Sequence, residues 1–260
     1  MDDMIEEISI HNHERRVIPM IATIINCILI LLGSMLGLLL KGKLPQRFLT
    51  VLTQALGLCV VSIGMTSAIG TKNTLCVVVC LVVGTILGEA IDIEKRLDSV
   101  GESLRKRFEK NSNGNSTFTE GFVSASVLFC VGAMAIVGSI NAGIHGDYAV
   151  LVSKSVIDGV TAVSMTTALG IGVAFSAIPI LLYQGGLTLL AGLVAPFLQD
   201  AVITEMSAVG GCIILGIGLN MLDLPKVRLR VGNMLPAIFL PLAYLPLAEI
   251  LTQIFHTIGS

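Results

Sequence analysis

Eight apolar runs, each close to the length needed to cross a bilayer, dominate this sequence of 260 residues. A spanning helix needs about 20 largely apolar residues, and a helix satisfies its own backbone hydrogen bonds in lipid. The runs cover residues 20–40, about 50–69, 74–92, about 121–140, about 150–170, about 175–198, about 204–222 and about 231–254. We therefore predict an all-α, polytopic membrane bundle of about eight transmembrane helices.

Composition supports a membrane protein over a soluble one. Only 13% of the residues are charged, 54% are hydrophobic and the mean hydropathy is +0.89. Soluble domains carry about 25% charged residues, so this chain lacks the polar surface that water requires. The expected partner is the lipid bilayer. The formal net charge of −2 gives no reason to expect a nucleic acid.

The basic residues are distributed unevenly between the two sides of such a bundle. With eight spans, loops after odd-numbered helices carry 12 of the 16 basic residues and the opposite side carries four. Basic loops favour the cytoplasm, which predicts an even number of spans with both termini periplasmic or extracellular. If the run at 150–170 were only re-entrant, the split would weaken to 9 to 7, so we interpret that run as a full span.

Two polar segments flank or interrupt the predicted transmembrane domain of residues 20–254. Residues 1–19 form a polar N-terminal extension, and Met20 is also an alternative start. No small-residue cleavage signal follows the first apolar run, which therefore favours a retained helix over a signal peptide. Residues 93–118 combine apolar residues at helical spacing with many charges, which predicts a cytoplasmic amphipathic helix and a linker. That helix lies on the membrane or packs on the protein's own loops.

A weak internal similarity indicates an inverted repeat. At a shift of 153 residues, residues 55–61 (ALGLCVV) face residues 208–214 (AVGGCII), and Gly33 faces Gly186. Helices 1–3 would then correspond to helices 6–8 in the opposite orientation, an arrangement common in secondary transporters. Chance similarity between glycine-rich apolar helices is the alternative.

The fifth helix contains the most polar residues of any predicted span. Lys154 and Asp158 stand one turn apart on one face, and Thr161 continues that face. A charge in lipid costs several kcal/mol unless it is paired or faces water. We interpret these residues as lining a pathway in which Asp158 binds a cation or carries a proton. The alternative is an ion pair near the membrane edge that only anchors the helix.

Three amides in other spans complete the set of pathway candidates. Gln184 stands beside two glycines in the sixth helix, Asn233 lies among the prolines of the eighth, and Asn26 is deep in the first. Glycine and proline loosen a helix and expose backbone groups, as in the broken helices of transporters. Each amide has an ordinary alternative, which is a hydrogen bond to a neighbouring helix.

The sequence contains no motif of a known catalytic class. The four histidines form no H-E-x-x-H motif, there is no G-x-S-x-G or phosphate-binding loop, and the six cysteines form no C-x-x-C pair. We expect no enzyme activity, cofactor or metal. Gly33–Gly37 and Gly84–Gly88 have the G-x-x-x-G spacing, which favours close helix packing and is compatible with a homo-oligomer.

Several strings resemble one family of bacterial membrane proteins. They include QALGL at 54–58, GEAIDIEKRL at 88–97, EGFVSASVLFCVGAMAIVGSI at 120–140, GDYAVLVSKSVIDG at 146–159, AIPILLYQG at 177–185 and RVGNMLPA at 230–237. Together with the first apolar run they resemble the YdfK/YqgA-like family of inner-membrane proteins of unknown function, from about residue 20 to about 250. The resemblance implies a location in the bacterial cytoplasmic membrane and supplies no site residues.

The leading hypothesis from the sequence is a secondary transporter of a small solute or ion. It follows from the number of spans, the internal similarity and the polar fifth helix. The alternatives are an oligomeric, channel-like pore and a non-transporting scaffold or sensor that uses residues 93–118.

Overall fold

The computed structural model describes residues 2–97, 99 and 117–258, which fold into helices joined by short turns. The α-helices are α1 (Asp2–Lys41), α2 (Gln46–Ile69), α3 (Thr74–Ile91), α4 (Thr117–Cys130), α5 (Ala133–His145), α6 (Ala149–Leu169), α7 (Ala177–Leu189), α8 (Ala191–Val194), α9 (Asp200–Met221) and α10 (Pro241–Ile258). Three 3₁₀ segments join them, Ile171–Ser176, Ala195–Phe197 and Val231–Phe239. The predicted all-α fold is confirmed.

Among the described residues, six helices are long and apolar enough to cross a membrane, and two bent pairs raise the number to eight if each pair is one span. The six are Pro19–Lys41, Arg47–Ile69, Thr74–Ile91, Ala149–Leu169, Ile171–Leu189 and Asp200–Met221. The bent pairs are Phe118–Cys130 with Ala133–His145, at 59°, and Val231–Phe239 with Pro241–Ile250, at 43°. These segments follow the eight predicted runs in order. Most of the amphipathic helix predicted for residues 93–118 lies outside the described residues.

The first bent pair, α4 and α5, crosses the bundle, because α1 and α6 run parallel. A Cβ on Gly33 would lie 2.2 Å from the carbonyl oxygen of Gly159, and one on Gly37 would lie 2.5 Å from that of Val163. The contacts therefore advance along both helices in the same direction. The segments between α1 and α6 are α2, α3 and the bent pair, so two parallel helices require three crossings between them.

The second bent pair also crosses the bundle. Gly88 packs against Asn233 and Gly84 against Ala237, so Val231–Phe239 runs antiparallel to α3. Farther along, Tyr244 of α10 packs on the apolar cluster around Cys76, near the start of α3. With each bent pair as one span, the described residues make eight crossings of the bundle, and the apolar part of α1 begins at the face where α10 ends. We call this the N-terminal face and the opposite one the basic face.

Glycine spacing determines which helices meet. Both predicted G-x-x-x-G faces are occupied within the chain, Gly33–Gly37 by α6 and Gly84–Gly88 by the Val231–Phe239 segment. A side chain at any of these glycines would overlap backbone atoms of the partner. Helix α9 lies at the centre of the bundle, since 72% of its most apolar 18-residue stretch is buried, compared with 17% of the corresponding stretch of α2.

Gly132 separates α4 from α5 near the middle of the fourth span. Its φ of +126° is one that side-chain-bearing residues rarely adopt. The break interrupts the helix beside α6 and α7, where the polar side chains of the bundle are concentrated.

Candidate functional site

Lys154 and Asp158 form an ion pair inside the bundle. They are one turn apart on α6, and Nζ of Lys154 contacts Oδ2 of Asp158 directly. Lys154 is 6% exposed and Asp158 5% exposed, so neither reaches water at a surface. Pairing is the condition under which two charges are tolerated at such depth.

Asn26 joins this ion pair to a third helix. Its Nδ2 donates to Oδ2 of Asp158 at 3.0 Å and to Oε1 of Gln184 at 3.1 Å. Asn26 and Gln184 are both fully buried. Four sequence-predicted residues from α1, α6 and α7 therefore meet in one cluster, Asn26, Lys154, Asp158 and Gln184, which we call the buried polar network.

The network lies near the middle of the bundle, away from the helix ends where an anchoring pair would stand. Asp158 is one residue from the midpoint of the apolar part of α6. Asn26 is four residues from the midpoint of its own span, and so is Gln184. At 1.5 Å per residue the displacement is about 6 Å. It is toward the N-terminal face in both cases, since α1 and α7 are antiparallel.

Several polar atoms of the network region have no hydrogen-bond partner within the described part of the chain. They are Oδ1 of Asn26, Nε2 of Gln184 and the hydroxyls of Thr23 and Thr188, all fully or almost fully buried. Thr23 lies one turn from Asn26, and Thr188 one turn from Gln184, both toward the N-terminal face. An unpaired buried polar group costs about 1–3 kcal/mol, so these atoms are suited to a ligand or water.

Two predicted pathway residues lie outside the network. The Thr161 hydroxyl donates to the carbonyl of Ile157 in its own helix at 2.8 Å. Asn233 binds at the basic face, where its Oδ1 accepts from the amide of Glu94 at 2.7 Å and its Nδ2 donates to Glu89 at 2.5 Å. Arg230 also contacts Glu89 there. This second cluster ties the end of α3 to the start of the last span.

Glu205 is a buried acid that the sequence reasoning did not single out. It is 2% exposed on α9, and it accepts from the Thr71 hydroxyl at 2.6 Å and from the amides of Lys72 and Asn73 at 2.7 and 3.0 Å. The carboxylate thus holds the turn before α3 at the N-terminal face, and the side chain of Asn73 in that turn caps the helix by accepting from the amide of Cys76 at 3.0 Å. The sequence does contain a signal for Glu205, because a charge inside the apolar run 204–222 requires a partner in the same way as Asp158.

Fold and network together define a polytopic, α-helical membrane protein with a charged cluster enclosed between its helices. The chain belongs to the family described as "Protein of unknown function (DUF554)", which it matches over residues 21–245. The predicted resemblance to YdfK and YqgA is thereby confirmed.

Two relatives are similar over nearly their whole length. The "Uncharacterized membrane protein YdfK" of Bacillus subtilis (strain 168) is 30% identical over 226 residues, 85% of this chain and 94% of the relative. The "Uncharacterized protein YqgA" of Escherichia coli (strain K12) is 32% identical over 222 residues, again 85% of this chain and 94% of the relative. No solved structure matches the chain significantly.

Proposed function

We propose that this protein is a secondary transporter of a small solute or ion and has no enzyme activity. One observation carries the proposal. The Lys154–Asp158 ion pair, joined through Asn26 to Gln184, lies fully enclosed at mid-depth where three helices meet. Buried charges at this depth are costly, and in membrane proteins they typically serve ion or solute pathways.

The geometry supports coupling between the binding of a cation or proton at Asp158 and the positions of the surrounding helices. Oδ2 of Asp158 accepts from both Lys154 and Asn26. A cation or proton on this carboxylate would compete with both donors and free Asn26, which also holds Gln184. Loading of Asp158 would therefore loosen the contact of α6 with α1, whose Asn26 also contacts α7. The network is formally neutral when empty, which keeps the cost of the unloaded state low.

We further propose an inverted repeat that relates the first three spans to the last three. The first three contain α1, α2 and α3, and the last three contain α7, α9 and the bent pair that ends in α10. Gly57 and Gly64 on α2 have the same spacing as Gly211 and Gly218 on α9, at an offset of 154 residues, one residue more than the shift of 153 that aligns residues 55–61 with 208–214. Gly57 packs against Gly218, and Gly64 against Gly211. If α2 and α9 exchange places, the Gly57–Gly218 contact becomes the Gly211–Gly64 contact, so the pair of contacts is unchanged. A two-fold axis in the membrane plane requires this symmetry. Rocking of one repeat on the other is the usual route to alternating access.

The orientation we propose has the basic face in the bacterial cytoplasm. The 12 to 4 distribution of basic residues supports it. Both termini are then outside the cytoplasm, and the buried residues Thr23 and Thr188 lie on the side of the network that is toward the outside.

Reconstituted protein tests the transport proposal. Liposomes loaded with a pH-sensitive dye, or with sodium- or potassium-sensitive dyes, are exposed to a panel of amino acids, organic acids and small amides. We expect at least one saturable, protein-dependent signal that is lost in Asp158→Asn and in Gln184→Ala. Asp200→Asn, a change at an exposed carboxylate, is the matched control and retains the signal.

Two outcomes contradict the proposal. Unitary currents in a planar bilayer would favour the channel-like pore. A signal that survives both network variants would remove the network from the pathway.

A further inference from the structure

A half-open apolar cavity of about 240 Å³ lies between α4, α7 and the Val231–Phe239 segment. Its lining includes Phe122, Val127, Cys130, Tyr183 and Phe239. The cavity is larger than the roughly 150 Å³ apolar cavities that hold benzene. It is therefore large enough for a small organic molecule.

Three aromatic rings line the cavity, and few of its polar groups are available. The Tyr183 and Phe239 rings meet edge to face with centroids 6.5 Å apart. The Ser126 hydroxyl, also in the lining, is already bonded to the carbonyl of Phe122 at 2.5 Å. The Cys130 thiol remains, and nearly all of the lining surface is apolar. Such a lining favours a compact aromatic body with one polar group, because aromatic rings pack best on offset or edge-on rings.

The cavity and the buried polar network share helix α7. Tyr183 of the lining directly precedes Gln184 of the network on α7. Cys130, the last residue of α4, also belongs to the lining. The break at Gly132 begins two residues after Cys130, so the cavity wall includes the interrupted part of the fourth span.

We propose that this cavity binds a small aromatic molecule with a single polar group, of the size of indole or phenol. Resting on the proposed transport function, the inference names this class of molecule as the substrate. The aromatic body occupies the cavity, and its polar group is held at the Cys130 thiol. Movement of the ligand past Tyr183 would then displace Gln184, the next residue on α7, which belongs to the network.

Binding is measured directly with 1-aminoanthracene, whose fluorescence rises in apolar sites. The chain contains no tryptophan, so the protein adds little fluorescence background. Protein in lipid nanodiscs is titrated against empty nanodiscs. We expect a saturable, one-site signal that indole displaces.

Val127→Phe, which fills the cavity, should weaken binding at least tenfold, and the milder Val127→Leu about threefold. Val160→Phe introduces the same bulk at a position that is 65% exposed on α6, and it should leave binding unchanged. Val127→Leu keeps the test valid if Val127→Phe fails to fold.

Three results overturn the inference. They are the absence of saturable binding, equal binding by all three variants, and displacement by decanoate but not by indole, which would assign the cavity to an acyl chain. Probe binding without flux of any solute would leave the cavity assignment intact and refute the transport function. Flux without probe binding would refute the cavity assignment and leave the transport function intact.

Discussion

Asn26 and Gln184 are 158 residues apart in the chain, yet Nδ2 of Asn26 lies 3.1 Å from Oε1 of Gln184. The same Nδ2 bonds Asp158, so one amide group connects three helices. The stability of the bundle and the proposed transport should therefore depend on the same few atoms.

A double-mutant cycle tests the connection between Asn26 and Gln184. Each single alanine variant should lose about 1–2 kcal/mol of unfolding free energy, because a buried partner is left unpaired. The double variant should lose less than the sum, with a coupling of about 0.5–1.5 kcal/mol. Unfolding by a denaturing detergent measures both. Thr161→Val, which removes only a bond within α6, is the control, and strict additivity would contradict the contact.

Removal of both charges on α6 should restore much of the stability that is lost when only one of them is removed. Lys154→Met or Asp158→Asn alone leaves one uncompensated buried group, which costs about 3–5 kcal/mol when a buried pair is broken. The Lys154→Met/Asp158→Asn protein should recover at least half of the lost stability. Thermal unfolding of the purified variants measures this. A double variant less stable than both singles would contradict a paired site.

The G-x-x-x-G faces should respond to substitution as internal packing surfaces. A Cβ on Gly88 would lie 1.8 Å from the Asn233 carbonyl oxygen, so Gly88→Ala should destabilise the protein by about 1–3 kcal/mol. Gly186→Ala is the matched control, because its Cβ would meet nothing within 4 Å. If Gly88→Ala changed the oligomeric state and left the stability unchanged, the face would belong to an interface between subunits.

Reporter fusions test the orientation. Alkaline phosphatase fused to the C-terminus should be active, and a green fluorescent protein at the same position should be dark, because both require the tail to lie outside the cytoplasm. Fusion after Lys43, in the loop between α1 and α2, should give the opposite pair of signals. A fluorescent C-terminal fusion would refute the proposed orientation.

Much of the bundle was predictable because a transmembrane helix is a local structure. Each apolar run satisfies its own backbone, so length and composition indicate where a helix lies. The same reasoning picked out Asn26, Lys154, Asp158 and Gln184, since polar groups in lipid require partners wherever they occur. It did not identify Glu89 and Glu94 as the partners of Asn233, because a polar residue by itself does not identify its partner.

The sequence by itself determined that this protein is a helical membrane bundle, where its apolar segments lie and which side chains are too polar for lipid. Only the tertiary structure decided that the fourth and eighth spans are bent, that α1 packs beside α6, and that Asn26 reaches Asp158 across 132 positions. The physical reason is that helix pairing depends on close backbone approach at glycines of both partners. That fit is a property of two distant surfaces together, which neither segment reveals alone.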